Sequence, residues 1–288
     1  MGHFSERHSL NEATPSRRFN TLRFLKRLVV ATVLVGAFMV ATQDLQVFPS
    51  TLPRLVGADP GTPPTGVTES FVETSDGVRV RVWETAADGA VRKVALLLHG
   101  NADSLPGTSG LRALLARHGI STASFDYRGT GSSSGWPSEE GIYRDGEAVM
   151  NALLTKHGIP ADAMAIIGIS VGTGPASFLA QRYNVGRLIL VSPYFSIRDV
   201  VAEMPLYGFL VPFFKYHFPT AEYLSRTAGT RITLFHGAKD STIPVSHAER
   251  IVQHLPSSVP CEFIRIEQAG HNDILGFVSN QLIERLLQ

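Results

Sequence analysis

MAIIGISVGTGPASFLAQRY, residues 164–183, decides the fold. It opens on an apolar run of strand length, Met164–Ile169, and closes on helical spacing from Thr173 to Tyr183. Between them lies G-x-S-x-G, Gly168–Gly172. A strand–turn–helix forces the serine into a tight exposed turn above a sheet, and a side chain at either glycine would crowd the adjoining strand and helix. The pattern alone is weak, because Gly131-Ser132-Ser133-Ser134-Gly135 also fits it. That second match sits in a polar loop, GTGSSSGWPSEE, with no strand immediately before it, and reads as a turn. Ser170 is therefore the candidate nucleophile.

Similar apolar runs recur on both sides of this unit. Val94–Leu98, Thr122–Phe125, Leu188–Val191 and Ile232–Phe235 are of strand length, and Glu262–Ile266 is a final strand. Fully apolar strands need both faces covered, which means a parallel sheet between helices. Helical spacing falls between them at Gly110–His118, Glu139–Lys156, Val245–His254 and Ile274–Leu287. Thr68–Thr74 and Val78–Glu84 alternate apolar and polar residues around Ser75-Asp76-Gly77 and read as a hairpin. The expected fold class is α/β: a mostly parallel, doubly wound sheet over residues 68–288 with an antiparallel hairpin at one edge.

Ligands bind at the carboxyl ends of such strands. Four segments follow strands there: His99–Asp103, Gly168–Gly172, His236–Asp240 and Ala269–Asp273. A serine hydroxyl needs a base, and the base needs an orienting acid; in this kind of fold they follow in the order Ser, acid, His. Among the histidines after Ser170, His271 follows the last strand beside Gly270 and is the candidate base. His236 precedes the candidate acid, while His247 and His254 lie seven apart on a helix and are expected at the surface. Asp240, at the end of RITLFHGAKD, is the candidate acid, with Asp199 second. The negative oxygen of a tetrahedral intermediate needs donors fixed in advance. The expected pair is the backbone N–H of Val171 and that of Asn101, in the loop after Val94–Leu98.

The N-terminus differs in kind. Residues 1–27 are polar and basic, and Leu28–Thr42, LVVATVLVGAFMVAT, carries no charge. Such a run is a membrane anchor, the apolar core of a cleaved secretory signal, or a buried helix. With the basic flank held in the cytoplasm, an anchor places the larger part on the non-cytoplasmic side, and cleavage leaves it secreted or periplasmic. Residues 43–67 follow as a linker, whose PSTLPRLVGADPGTPPTG stretch cannot sustain helix or strand for long.

Composition narrows the partners. Lys and Arg number 26 against 25 Asp and Glu, a net charge of +1, so no basic face for nucleic acid is implied. The single cysteine, Cys261, excludes an internal disulfide and a Cys-based zinc site, and no H-x-x-x-H pair occurs among the ten histidines.

LLLHGNAD, FDYRGTGSSSG, GISVGTGPA, HGAKD and AGHND, in that order, resemble the BEM46-like branch of the α/β hydrolases, the group that includes ABHD13-type proteins. The resemblance runs from about residue 44 to the end and includes LQVFPSTLPRL, similar to the segment after the membrane anchor in that group. One departure is Ile169, where many relatives carry a basic residue. The resemblance implies an α/β-hydrolase fold, a triad of Ser170, Asp240 and His271, a structural loop at Asp126–Gly131, and an N-terminal membrane anchor.

Together these readings imply acyl transfer on a small acyl substrate, a lipid among the candidates, with no metal or cofactor required. Residues 193–230 are rich in aromatics, among them Tyr194, Tyr207, Phe209, Phe213, Tyr216 and Phe218, and are long enough for a small helical lid. Aromatic lids suit apolar esters, thioesters or lipids, although the same rings serve equally to pack the lid onto the sheet. A serine peptidase of the same fold and a non-catalytic binding protein are the competing readings.

Overall fold

The apolar runs pair into one eight-stranded sheet in the computed structural model, which describes residues 21–288 except Ala102 and Leu206. The strands are β1 (Val67–Glu73), β2 (Arg79–Thr85), β3 (Lys93–Leu98), β4 (Ile120–Phe125), β5 (Met164–Ile169), β6 (Arg187–Val191), β7 (Arg231–Gly237) and β8 (Cys261–Ile266). Their order is β1-β2-β4-β3-β5-β6-β7-β8. β1 and β2 form the expected hairpin, β2 joins β4 antiparallel, and every other pairing is parallel.

Parallel neighbours require crossovers, and helices supply them on both faces. These are α4 (Ser109–Arg117), α5 (Glu139–His157), α6 (Thr173–Tyr183), α9 (Ser246–His254) and α10 (Ile274–Leu287), each within a residue of its expected bounds. Side chains alternate across a strand, so one sheet builds two cores. Leu96, Leu98, Ile166, Leu188 and Leu190 join one cluster with Val149 and Leu179. Ala95, Leu97, Ile167, Ile189 and Val191 join the other with Leu115, Val278 and Leu282. The edge strands carry charge: on β8, Glu262 pairs with Arg285 and Arg265 with Glu249.

After β3 the chain steps to one side to form β4, then returns to the other side for β5. This reversal puts the topological switch point at the carboxyl ends of β3 and β5, the usual place for a ligand in such sheets. The loops after those two strands carry Asn101 and Ser170.

The aromatic-rich insert between β6 and β7 holds three short elements: α7 (Ile197–Glu203), a 3-10 turn (Gly208–Phe213) and α8 (Thr220–Ser225). Its rings divide. Tyr194, Tyr216 and Phe218 are buried, whereas Tyr207, Phe209 and Phe213 are exposed.

Residues up to Met39 form a unit of their own. Residues 1–20 of the basic segment lie outside the described residues. The apolar run belongs to a longer helix, α1 (Thr21–Ala41). At about 1.5 Å per residue it reaches roughly 30 Å, the thickness of a bilayer's hydrocarbon core. Arg23–Ala41 is long and apolar enough to cross a membrane.

The stretch that follows is a linker only in part: residues 56–66, with most of its prolines and glycines, form neither helix nor strand, as expected, but residues 43–55 are ordered. They form two short helices, α2 (Gln43–Val47) and α3 (Thr51–Leu55), with Phe48 buried between them. The Phe48 ring meets Tyr127 and Tyr216 edge-on, at centroid distances of 6.2 and 5.5 Å. Asp44 accepts hydrogen bonds from Trp136 Nε1 and the Tyr216 hydroxyl, each at 2.7 Å. Local propensity argues against order here, and tertiary packing overrides it. Phe48→Ala should therefore cost about 3–5 kcal/mol, the usual penalty for emptying a buried aromatic site. Urea unfolding of residues 40–288 would measure it; a loss within error would mean that the segment does not belong to the folded body.

Candidate active site

β5 delivers Ser170 into a turn with φ of 51°, a left-handed conformation that side chains ordinarily avoid. Close packing holds it there. A Cβ on Gly168 would lie 2.7 Å from the Ala176 Cβ, and one on Gly172 would lie 2.5 Å from the Leu98 carbonyl oxygen. The Thr173 hydroxyl donates to the Ser170 carbonyl at 2.6 Å. The Tyr194 hydroxyl donates to the Val171 carbonyl at 2.8 Å and accepts from the Gly174 N–H at 3.1 Å.

His271 reaches this turn from the loop after β8. Its Nε2 lies 3.0 Å from Ser170 Oγ, and its Nδ1 lies 2.7 Å from Asp240 Oδ2. Asp240 Oδ1 accepts the N–H groups of Thr242 and Ile243, at 3.0 and 2.8 Å. Burial alone would raise the Asp240 pKa, but the His236 and His271 rings and the Ile243 N–H outweigh it and hold the carboxyl well below its ordinary value. An ionised Asp240 can only accept, so the His271 proton sits on Nδ1 and Nε2 is left to accept from Ser170. Three side chains, from positions 170, 240 and 271, thus form one hydrogen-bonded line.

Asn101 lies on the loop directly after β3, and Val171 in the first turn after the strand end. A Cβ on Gly100 would come 3.5 Å from the Ser170 Cβ, so the Asn101 loop runs close against the serine. The Asp126–Gly131 loop braces it from below: Tyr127 donates to the His99 carbonyl at 2.8 Å, and the buried Arg128 bridges Asp145 and Asp76.

The other candidates fall elsewhere. Asp199 lies in the first turn of α7, where its N–H donates to the Ser196 hydroxyl that caps the helix, and its carboxylate pairs with Arg250 at 2.8 Å and not with His271. The Ser133 hydroxyl is buried and donates to the Asp126 carbonyl at 2.6 Å, a turn role. His254 is exposed, but His247 is not the surface residue its spacing suggests. It faces inward from α9 beside Ala248 and Ile251, and its Nδ1 accepts the Phe195 N–H at 3.2 Å. His236 does more than precede the acid in the chain. Its buried Nε2 donates to the Ile243 carbonyl at 2.8 Å and stands 3.4 Å from Asp240 Oδ2. Its position four residues before Asp240 was the available signal. Tyr194 carried no signal, since its contact spans two different strand ends. Among the described residues no three His, Cys, Asp or Glu side chains gather as a metal would need.

A mostly parallel sheet with a strained serine at the β5 turn and this helix order defines an α/β hydrolase. The chain belongs to the α/β-hydrolase superfamily. The family described as Serine aminopeptidase, S33, matches residues 89–231. The chain is 33% identical over 221 residues to the human α/β hydrolase domain-containing protein 17B, covering 76% of this chain and 73% of the relative. It is 34% identical over 227 residues to protein 17C of Xenopus tropicalis, covering 74% and 70%. Among solved structures it is similar to an α-β hydrolase from Vibrio vulnificus, with a TM-score of 0.67 at 21% identity over 77% of this chain and 82% of the other. It is also similar to the Pyrococcus furiosus esterase Pf2001, with a TM-score of 0.61 at 19% identity over 76% and 87%. These solved structures speak for the fold.

Two measurements test the geometry. Gly172→Ala should cost about 3 kcal/mol or more, because its Cβ would meet backbone that cannot move aside. Gly270→Ala, whose Cβ would meet nothing nearer than 3.6 Å, should shift stability by less than about 1 kcal/mol. Thermal melts of the two variants would reverse the reading if they were alike. The depressed Asp240 pKa also has a sign. Its stabilisation is complete above the unfolded carboxyl pKa of about 4 and is lost as pH falls. Asp240→Asn should therefore flatten the acid side of the stability profile, read as urea midpoints between neutral and acid pH.

Proposed function

We propose that the protein is a serine hydrolase working by acyl transfer on a carboxylic ester, thioester or lipid-like acyl substrate. The observation that carries this is the line Ser170 Oγ, His271 Nε2, His271 Nδ1, Asp240 Oδ2, with links of 3.0 and 2.7 Å. Ser170 Oγ attacks the carbonyl carbon as its proton passes to His271 Nε2. Asp240 keeps the imidazole oriented and stabilises the imidazolium. The N–H groups of Val171 and Asn101 hold the negative oxygen. Collapse of the tetrahedral species breaks the bond to the leaving group, which takes the proton from His271. Water then attacks the acyl-enzyme with His271 again as base, freeing the acid and restoring Ser170.

The order of the motifs supports a place near the BEM46-like branch, and the relatives named 17B and 17C support the wider superfamily. α1 supports a single-pass anchor, with the basic flank in the cytoplasm and residues 40–288 on the other side. A second reading, a serine peptidase, is favoured by the description of the family matched over residues 89–231.

A fluorophosphonate probe should label the wild-type protein and fail on Ser170→Ala; equal labelling would remove the nucleophile and leave a binding protein. Asp240→Asn should lower kcat by about ten-thousandfold by favouring the wrong imidazole tautomer. Turnover of p-nitrophenyl esters is expected to exceed that of aminoacyl anilides. Anilide turnover without ester turnover would make the peptidase reading the better one.

A further inference from the structure

We propose that the face formed by the 3-10 turn Gly208–Phe213 and α3 rests on a lipid bilayer, so that the mouth of the Ser170 site opens onto the membrane surface. α1 ends at Ala41, and within two residues the chain is docked on the folded body. The Gln43 side chain accepts the Lys215 N–H at 2.8 Å, and Asp44 pairs with Lys215 while binding Trp136 and Tyr216. An apolar helix long enough to span a bilayer is therefore followed within two residues by side chains bound to the folded body. Trp is enriched at membrane interfaces, and Lys also anchors helix ends there; the exposed Trp136 and Lys215 both bind Asp44 at that point.

From this point apolar side chains run outward in both directions along the chain. Two residues before Lys215 is Phe213, 65% exposed, with Phe209 at 61% in the same turn. Beyond Phe48 comes α3, then Val56, 81% exposed, next to Leu55 at 56%. Exposed large apolar side chains that flank one docked point on both sides along the chain are the kind that mark an interaction surface. The tie to a spanning helix selects the bilayer as its occupant. Between the two groups the same segment touches the site: the Ser50 hydroxyl donates to the Asn101 carbonyl at 3.2 Å. The face is thus one residue removed from the loop that runs against Ser170. Acyl chains would pass from the lipid phase into the site without crossing water, a consequence that rests on the hydrolase reading; the docking itself does not.

The test uses the full chain reconstituted in phosphatidylcholine vesicles carrying nitroxide-labelled acyl chains. A Cys261→Ala background receives a single environment-sensitive fluorophore through Phe209→Cys, Phe213→Cys or, as control, Ala90→Cys on the loop before β3. The fluorophores at 209 and 213 should be blue-shifted and quenched several-fold more than the one at 90. Equal quenching at all three positions, or a chain that does not float with the vesicles, would overturn the docking. A blue shift without nitroxide quenching would also overturn it, since protein and not lipid would then cover the face. In parallel, Phe209→Ser combined with Phe213→Ser should lower hydrolysis of a long-chain ester held in vesicles by about tenfold. It should leave turnover of a short soluble ester unchanged. Equal loss on both esters would overturn the lipid route, whereas loss of probe labelling at Ser170 in the wild type would count against the hydrolase reading alone.

Discussion

The rest of the molecule depends on how closely the β5 turn is pressed against its neighbours. Ser170 stays in a left-handed conformation because Gly168 lets Ala176 approach and Gly172 lets the Leu98 and His99 carbonyls approach. A left-handed serine is unfavourable in isolation, and strain of this kind persists only where the surroundings over-determine it. Here they do: a strand on one side, a helix on the other, and hydrogen bonds to the carbonyls on both sides of the turn, from Thr173 and Tyr194. The packing of the turn sets the direction of the hydroxyl, toward His271 Nε2 at 3.0 Å.

The second requirement is that two distant loops reach the same place. β7 and β8 are parallel neighbours, so the loops after them leave from the same edge of the sheet. Asp240 and His271 meet there although thirty-one residues separate them. Asp240 is held by two backbone N–H groups on one oxygen and by imidazole on the other, with His236 behind it. A buried carboxylate costs much unless it is paired and hydrogen-bonded. Those contacts offset the cost and keep the acid charged, which in turn sets the tautomer of His271.

Much of this was legible in the residues. Fully apolar runs such as Val94–Leu98 declare a sheet covered on both faces, and the strand–turn–helix at 164–183 picks the serine out from the decoy at 131–135. The order of the motifs singles out Asp240 and His271. What was not legible has one physical origin: burial decided by partners far away in the chain. Pro49 and Pro53 speak against helix around Phe48, yet Phe48 finds Tyr127, Tyr216 and Phe218, and short helices form on both sides of it. Spacing on α9 assigns His247 to the surface, but the loop after β6 brings an N–H that only a buried acceptor satisfies. Tyr194 stands out only as one aromatic among several and His236 only by its place four residues before Asp240, because their effect depends on the turn and the acid they touch.

The charged rims of the sheet have a further consequence. β1 and β8 end the sheet on either side, and each offers the backbone of an unpaired edge. On β8 the Glu262–Arg285 and Arg265–Glu249 pairs stand beside that edge. On β1, Glu69 pairs with Arg81, and the Arg79 guanidinium lies 4.2 Å from the centre of the Phe71 ring. A neighbouring chain that tried to add a strand would have to strip water and partners from these ions, a device by which natural sheets resist edge-to-edge aggregation. Growth of the sheet into fibrils or strand-exchanged dimers is opposed at both ends.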